Sequence, residues 1–272
     1  MKISILGTGL LGSALAQRLL FAGNEVCVYN RTSAKAKALV KDGAIVAESV
    51  QEAINQSECT ILMLADIDAI NNVLFKKDIK SFYGKTIIQM GTISPAQSVQ
   101  LNQALKELEG DYFECPVLGS RKEAISGNLI LMAGSTPEQF NKWLNLLKML
   151  GPNPQHIGGV GKAAAMKLAL NHLIAAHAVA FSVSLGLIEK NGIDQDVFMG
   201  ILRESALYAS MYDKKLQNWK NREYANPNFP VKHLLKDVEL VLHETQEKQI
   251  NSEEVKALSH ILQEAINHQL GD

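Results

Sequence analysis

The sequence predicts an α/β fold in which an N-terminal, doubly wound sheet is followed by an all-α C-terminal domain. Three observations carry this prediction. Short apolar runs alternate with amphipathic segments over the first half of the chain, the pattern of parallel strands joined by helices. A glycine-rich turn, GTGLLG at 7–12, follows the first apolar run. From residue 158 onward the pattern becomes purely helical and begins with a long alanine-rich segment.

Composition excludes several classes of protein. The chain has 272 residues, which allow one large domain or two of ordinary size. Its 47% hydrophobic and 20% charged residues are typical of a globular protein. The formal net charge of −1 offers no basic surface, so neither a nucleic acid nor a membrane partner is expected. Three cysteines do not suggest a disulfide framework and favour a reducing, cytoplasmic location.

Two apolar stretches resemble targeting or membrane segments. Residues 2–16 have the pattern of a secretory signal, but cleavage there would destroy the glycine-rich turn, and we do not favour it. The segment at 158–192 is interrupted by His172, His177 and serines, so we do not expect it to span a membrane.

The glycine-rich turn predicts a dinucleotide site. Residues 2–30 contain a strand, the turn, a helix and a second strand, which together are the fingerprint of a Rossmann-type domain. Gly7 permits the tight turn, Gly9 lets backbone approach a pyrophosphate, and Gly12 lets helix and strand pack closely. The phosphates would bind at the helix N-terminus, whose free N–H groups favour anions. We expect the cofactor to contact the whole turn: Gly7, Thr8, Gly9, Leu10, Leu11 and Gly12.

The residues after the second strand predict the choice of cofactor. NAD sites usually place an Asp or Glu there to bind the ribose 2′-hydroxyl, but this chain has Asn30, Arg31 and Thr32. An arginine suits a 2′-phosphate, and the amide and hydroxyl can complete the site. The alternative is that Arg31 only begins a solvated loop. We favour NADP(H), with NAD less favoured.

The alternation continues through the first half of the chain. Helices are expected near 33–40, 49–56, 67–75, 95–109 and 137–150, and strands at 59–66, 85–91, from 111 and before 135. Ser94 and Pro95 provide an N-cap and a first helical residue. Ligands of such sheets bind at the carboxyl ends of the strands, where Leu64, Ala65 and Thr92 fall. Thr92 could bind the nicotinamide or a substrate, or simply cap backbone.

A strand at 111 leads into a segment with exposed donors. Pro116 to Ser120 are followed by an expected loop and another strand. Gly119 and Ser120 can present N–H groups, and Ser120 a hydroxyl, to a carboxylate. Cys115 reads as a small buried residue and not as a nucleophile.

The long segment from 162 to 189 predicts one helix that carries a lysine. Lys167 and Asn171 are four residues apart and therefore share a face of this helix. Burying a lysine without a partner costs several kcal/mol, so it either pairs, faces a wet cleft, or extends to the surface. We place the domain boundary before this helix, giving a 1–158 cofactor domain and a 159–272 all-helical domain. Later helices are expected at 194–203, 211–219, 231–248 and 252–268, with a loop at 226–230.

Seven segments in order resemble the β-hydroxyacid dehydrogenase family, which includes 3-hydroxyisobutyrate dehydrogenases and glyoxylate/succinic semialdehyde reductases. They are GTGLLG, YNRT, MLAD, MGTISP, ECPVLGSRKEAISGNL, GVGKAAAMKLALN and FPVKHLLKD. The NRT, GSRKEA and FPVKHLLKD segments most resemble the glyoxylate/succinic semialdehyde reductase branch, which uses NADPH.

The resemblance implies roles for individual residues. Lys167 matches the catalytic lysine, and Asn171 matches the asparagine that orients it or the substrate. Thr92 matches a residue at the nicotinamide and the substrate. The remaining implied residues are the substrate-carboxylate loop at Leu118, Gly119 and Ser120, the nicotinamide-end Lys236, and the pocket wall at Phe229 and Asp237.

Two residues depart from the family pattern. The family commonly has serine at the position of Leu118 and aspartate at the position of Gln89. Losing the serine hydroxyl favours a longer or less polar substrate than the usual small hydroxy acids.

The implied activity is hydride transfer between NADPH and a small oxo-acid or semialdehyde, or its hydroxy acid, with Lys167 as general acid/base. An imine reductase is the alternative on the same architecture, although such relatives generally lack the lysine. A non-catalytic NADP-binding module is the alternative from another class. We expect a homodimer or homotetramer, because so apolar a helix exposes a patch that a second subunit would cover.

Overall fold

The structure is a computed structural model and describes residues 1–75, 79, 81–221 and 229–268. Residues 226–228 of the expected loop lie outside this range. The chain forms two compact units, Met1–Leu168 and Ala169–Asp272. The expected boundary lies at 158/159, before the long helix, whereas the units divide inside that helix.

The first unit is built on a nine-stranded sheet in the order β3-β2-β1-β4-β5-β6-β8-β7, with β9 paired to β8. Its strands are β1 Lys2–Leu6, β2 Glu25–Tyr29, β3 Ile45–Val46, β4 Cys59–Leu62, β5 Thr86–Gln89, β6 Asp111–Glu114, β7 Val117–Leu118, β8 Ile130–Gly134 and β9 Gln155–Gly158. From β3 to β6 every pairing is parallel, which confirms the doubly wound α/β prediction. β8 runs antiparallel to β6 and β7, an extension that the sequence analysis did not predict.

The described residues of the first unit also form seven helices and the start of an eighth. They are α1 Leu10–Phe21, α2 Ser33–Lys37, α3 Val50–Asn55, α4 Ile67–Leu74, α5 Pro95–Glu107, α6 Arg121–Ser126, α7 Pro137–Leu150 and α8 Lys162–Lys190. The helix expected at 33–40 is shorter, because α2 ends at Lys37 and a 3-10 turn follows at Val40–Asp42. The loop expected after Ser120 is also corrected, since it contains α6.

Helix starts in this unit follow local chemistry. Ser94 caps α5 as predicted: its Oγ accepts from Gln97 N at 3.2 Å, and Gln97 Oε1 accepts from Ser94 N at 2.9 Å. Apolar clusters cover the sheet: one includes Ile3, Leu15 and Trp143, and another includes Leu62 and Phe82. Both faces of the central strands are covered, so every residue of β4, and every residue of β1 except Lys2, is buried.

The second unit is helical throughout its described residues, as predicted. It contains the remainder of α8 and four further helices: α9 Gln195–Glu204, α10 Met211–Asn221, α11 Val231–Glu247 and α12 Glu253–Asn267. Phe181 of α8 stacks on Tyr212 of α10 with ring centroids 4.6 Å apart, and His177 Nδ1 lies 2.6 Å from the Tyr212 hydroxyl. These contacts join α8 to α10 around an apolar cluster.

The helix α8 is long and apolar enough to cross a membrane by length and composition, which the sequence analysis did not expect. Core helices of soluble proteins share this length and composition. His172, His177 and the serines of α8 therefore do not lower its hydropathy below that of a membrane-spanning helix.

Candidate active site

The glycine-rich turn between β1 and α1 has the steric properties that a dinucleotide requires. Gly7 has φ +100°, and a Cβ there would lie 2.3 Å from Met63 O. A Cβ on Gly12 would lie 1.9 Å from Gly7 O, so this residue must also lack a side chain. A Cβ on Gly9 would meet no described atom within 4 Å. Gly7 and Gly12 therefore shape the turn, while Gly9 leaves open space for a ligand.

Asn30 and Thr8 connect this turn to the end of β2. Asn30 Oδ1 accepts from Thr8 N at 3.0 Å, and Asn30 Nδ2 donates to Thr32 O at 3.0 Å. The buried Thr8 Oγ1 has no hydrogen-bond partner among the described residues. A buried hydroxyl of this kind is satisfied when a ligand or water binds beside it. The turn therefore fits a nucleotide phosphate group.

A cavity of about 290 Å³ opens at the end of β2. Its wall carries two cations, Arg31 and Lys37, and one acid, Glu48. Among the described residues, the cavity is lined by Tyr29, Asn30, Arg31, Ser33, Ala36, Lys37, Val46, Ala47 and Glu48. Lys37 was not singled out from the sequence, although Lys35 and Lys37 make the short helix α2 basic at its end. Two cations near the end of β2 can bind a phosphate.

Other predicted residues lie beyond the carboxyl ends of the parallel strands. Leu64 and Ala65 follow β4, and Thr92 follows β5. Gly91 packs against the segment that follows β4, because a Cβ on Gly91 would lie 2.7 Å from Leu64 O. The Leu64 and Thr92 segments are therefore adjacent at one edge of the sheet, as the fold class predicts.

The loop proposed to receive a carboxylate is already bonded to one. Leu118 ends β7, Gly119 has φ +136°, and Ser120 caps α6. Ser120 N donates to Glu123 Oε2 at 2.8 Å, and the Ser120 hydroxyl donates to the same oxygen. This is a capping box. Both donor groups of Ser120 are therefore used to start α6.

Lys167 lies on α8 within the first unit and is 8% exposed. The start of its helix is held by Glu114, the last residue of β6, which is 1% exposed. Glu114 Oε2 accepts from Gly161 N at 2.6 Å, and Oε1 accepts from Ala164 N at 2.6 Å. Since Ala164 is three residues before Lys167, Glu114 fixes the turn that precedes the lysine.

The surroundings of Glu114 are built to hold its carboxylate. The Ser98 hydroxyl donates to Glu114 Oε2. Gly134 on β8 lies opposite Glu114, and a Cβ there would lie 2.6 Å from Glu114 Oε1. Burial raises the pKa of Glu114, and hydrogen bonds from Ser98 and the α8 backbone oppose that rise. Glu114 was not predicted from the sequence, where its signal was an acid within an otherwise apolar run.

Gln89 lies beside Glu114 on the neighbouring strand and is also buried. Its Nε2 donates to Gly91 O at 3.3 Å. An aspartate here, as the family commonly has, would add a second buried acid next to Glu114, which is costly without a partner. An amide avoids this repulsion.

The second unit contributes a separate buried pair. Asn171 Nδ2 donates to Asp237 Oδ2 at 2.6 Å, and both residues are 2% exposed. Lys236 Nζ lies 2.8 Å from Asp237 Oδ1, the separation of an ion pair. The buried Asn171 Oδ1 accepts no hydrogen bond from the described residues. Phe229, before α11, is partly exposed. The amide oxygen of Asn171 can therefore accept a hydrogen bond from a ligand.

Two family models cover the chain. Residues 2–158 match the NAD binding domain of 6-phosphogluconate dehydrogenase. Residues 161–272 match the NAD-binding domain of NADP-dependent 3-hydroxyisobutyrate dehydrogenase. Together they span both units.

Curated relatives and solved structures agree with these models. The chain is 34% identical to glyoxylate/succinic semialdehyde reductase 1 of Arabidopsis thaliana, covering 100% of this chain and 95% of the relative. A 3-hydroxyisobutyrate dehydrogenase from Salmonella typhimurium has the same fold, with a TM-score of 0.90, 21% identity and coverage of 100% and 96%. An imine reductase from Myxococcus stipitatus in complex with NADP⁺ is more distant, with a TM-score of 0.73, 22% identity and coverage of 100% and 96%.

Proposed function

Because the chain belongs to the β-hydroxyacid dehydrogenase family, we propose that it uses NADPH to reduce the carbonyl group of a small aldehyde or oxo-acid, with Lys167 as the general acid. The observation that carries this proposal is a buried lysine on α8, in a helix turn fixed by Glu114. A protein seldom buries a lysine unless the charge is paired or used. The reverse reaction, oxidation of a hydroxy acid, uses the same groups.

The choice of NADPH is supported by the cavity at the end of β2. Asn30 occupies the position where NAD sites usually have an acid, and Arg31 and Lys37 lie on the cavity wall. A 2′-phosphate would bind these cations, whereas a 2′-hydroxyl would gain little from them. Structural neighbours have been solved with NADP⁺ and, for a variant imine reductase, with NAD⁺.

The chain's own residues supply proton transfer and positioning. When bound, the reduced nicotinamide supplies the hydride. Lys167 Nζ donates a proton to the carbonyl oxygen as negative charge develops there, a contribution of roughly 10²–10⁴-fold. Asn171, held by Asp237, orients the reacting oxygen, and its unbonded Oδ1 can accept from a hydroxyl product. In the reverse direction the neutral amine of Lys167 accepts the proton.

The remaining residues are assigned to positioning. Thr92 orients the substrate or the nicotinamide, and Lys236 lies toward the nicotinamide end of the cofactor. Leu118, Gly119 and Ser120 form the substrate loop, and Phe229 forms part of the pocket wall. Leu118 gives this loop an apolar side chain, which favours a less polar substrate.

An imine reductase is a second candidate, because imine reductases are among the structural neighbours. The buried Lys167 argues against this function, because imine-reducing relatives generally lack the lysine that the family resemblance assigns to carbonyl reduction. The experiment compares glyoxylate, succinic semialdehyde and a cyclic imine, each with NADPH and with NADH. Faster oxidation of NADPH by the carbonyl compounds would support the proposal. Preference for the imine would overturn it, and tight NADPH binding without turnover would favour a non-catalytic module.

We also propose a homodimer or homotetramer in a reducing, cytoplasmic environment. Val183 and Leu187 on α8 and Ile201 on α9 are exposed apolar side chains of the second unit. The three cysteines are free and buried. Light scattering after size-exclusion chromatography tests the oligomer, and a monomer at micromolar concentration would contradict it.

A further inference from the structure

The substrate loop of the proposed function has a carboxylate of its own. Glu123 Oε2 accepts from Ser120 N at 2.8 Å and from the Ser120 hydroxyl. These are the donors that a substrate carboxylate would need. A second carboxylate in the same place would compete with Glu123 for both bonds and would be repelled by its charge.

Glu123 is packed against this loop and does not merely point past it. A Cβ on Gly119 would lie 3.0 Å from Glu123 Cβ and 2.7 Å from Leu129 Cδ2. Glu123 is half-buried, whereas its neighbours Arg121 and Lys122 are exposed. The chain reaches this loop from the carboxyl end of β6 through Cys115, Pro116 and the two-residue strand β7, and ligands of such sheets bind beyond the carboxyl ends of the parallel strands. The negative charge therefore lies on the ligand side.

Helix capping alone does not require an acid at this position. Two other helices of the first unit are capped in the same way by an uncharged side chain. Gln97 Oε1 accepts from Ser94 N at 2.9 Å, and Gln139 Oε1 accepts from Thr136 N at 2.9 Å. The same cap is therefore available without a charge, and the acid of α6 is the one that lies beside the substrate loop.

We infer that Glu123 is a specificity-determining residue that excludes a carboxylate from the loop formed by Leu118, Gly119 and Ser120. The substrate is then a carbonyl compound whose second functional group, the one that contacts this loop, is uncharged. That group could be an ester or an amide, or it could be absent, as in a simple alkyl aldehyde. The inference rests on the proposed function, because it takes this loop to be the substrate loop. The inference restricts the substrates of the proposed reductase by excluding small oxo-acids.

The decisive experiment measures binding with a charged and an uncharged ligand of the same shape. Wild-type protein loaded with NADPH is titrated calorimetrically with 4-hydroxybutyrate and with 4-hydroxybutyramide. We expect the amide to bind at least about tenfold more tightly, an expectation based on the cost of like charges at close range. Glu123→Gln keeps an acceptor for Ser120 and should reduce this ratio about tenfold by improving binding of the acid.

Two further proteins make the result specific. Glu123→Ala frees both donors of Ser120 and should improve binding of the acid at least as much. Glu138→Gln removes an exposed acid from the first turn of α7 and should leave the ratio unchanged. If wild-type protein binds the acid as well as the amide, the inference is overturned. Equal ratios in all four proteins, or no binding to any of them, also overturn it.

Turnover separates this inference from the proposed function. The same proteins are assayed with NADPH and either succinic semialdehyde or its methyl ester. If the binding ratio changes as expected but no substrate is reduced, the proposed function fails and the inference stands. If substrates are reduced with no dependence on residue 123, the inference fails and the proposed function stands.

Discussion

Two buried carboxylates support Lys167 and Asn171 of α8, and they do so in different ways. In the first unit, Glu114 accepts hydrogen bonds on both oxygens, from Ser98 and from the backbone of α8. In the second unit, Asp237 accepts a hydrogen bond from Asn171 on Oδ2 and is ion-paired with Lys236 through Oδ1. A carboxylate bonded to helix backbone fixes the helix, whereas one bonded to two side chains positions those side chains. The difference predicts that Glu114 governs stability and Asp237 governs turnover.

The largest effect should come from the residue whose helix turn Glu114 fixes. Lys167→Ala removes the proton donor, and we expect kcat to fall roughly 10²–10⁴-fold. The dissociation constant of NADPH, measured by fluorescence titration, should stay within about twofold, because the phosphate-binding turn is untouched. A turnover number equal to that of wild type would show that Lys167 does not donate the proton.

The next effect tests Glu114 as a stabilising residue. Glu114→Gln replaces one acceptor oxygen with a donor that faces a backbone N–H, so one bond to α8 is lost. We expect the free energy of unfolding in urea to fall by about 2 kcal/mol. Glu107→Gln, an exposed acid in α5, serves as the control and should change stability by less than about 0.5 kcal/mol. A loss of turnover without a loss of stability would reverse the assignment.

The pH dependence of that difference is a separate test. Burial raises the pKa of Glu114 above its ordinary value of 4.5, so the folded state holds this proton at a pH where the unfolded state has released it. The contribution of the group to stability is then complete below pH 4.5 and declines as the pH rises through the folded pKa. The stability difference between wild type and Glu114→Gln should therefore shrink between pH 4.5 and 7. A difference that grows would mean that the hydrogen bonds outweigh burial.

A smaller effect is expected from Asp237. Asp237→Asn can keep the bond from Asn171 but loses the charge beside Lys236. We expect kcat to fall about tenfold while the free energy of unfolding changes by less than about 1 kcal/mol. Steady-state kinetics and urea unfolding of the same preparation measure both quantities. If stability falls and kcat does not, Asp237 belongs with Glu114 as a structural carboxylate.

The smallest effect should come from a residue that neither carboxylate touches. Arg31 is exposed at the cavity after β2, so Arg31→Ala should weaken NADPH binding about fivefold through loss of one phosphate contact. Binding of NADH and kcat with saturating NADPH should change little. Equal weakening of both cofactors would mean that Arg31 does not recognise the 2′-phosphate.

Local patterns allowed most of the fold to be predicted from the sequence. The glycine-rich turn, the Ser94–Pro95 cap and the long α8 all depend on neighbouring residues, and the structure confirms each of them. The short strands β3, β7 and β9 have two to four residues, too few to show a period. They exist because longer neighbours provide hydrogen-bond partners.

The site was predicted less completely than the fold. Lys167 and Asn171 were recognised from their spacing on one helix. Glu114 was missed, because its bonds to Gly161 and Ala164 join residues 47 and 50 positions apart in sequence. The bond between Ser120 and Glu123 was missed for another reason. Its S-x-x-E spacing is a readable capping box, but the segment was interpreted as a loop that offers free donors.

The three glycines of the phosphate-binding turn are required for different reasons, two of them for folding and one for ligand binding. Gly7 and Gly12 cannot gain a methyl group without a clash inside the turn, so a mutation at either one is visible to folding. Gly9 has φ −70°, ordinary for any residue, and open space where its side chain would be. The Gly9→Ala protein should fold and accumulate normally, but its methyl group would occupy the space that a pyrophosphate needs. In a cell, such an allele would abolish the activity of this protein while the folded chain and its interaction surfaces remained present.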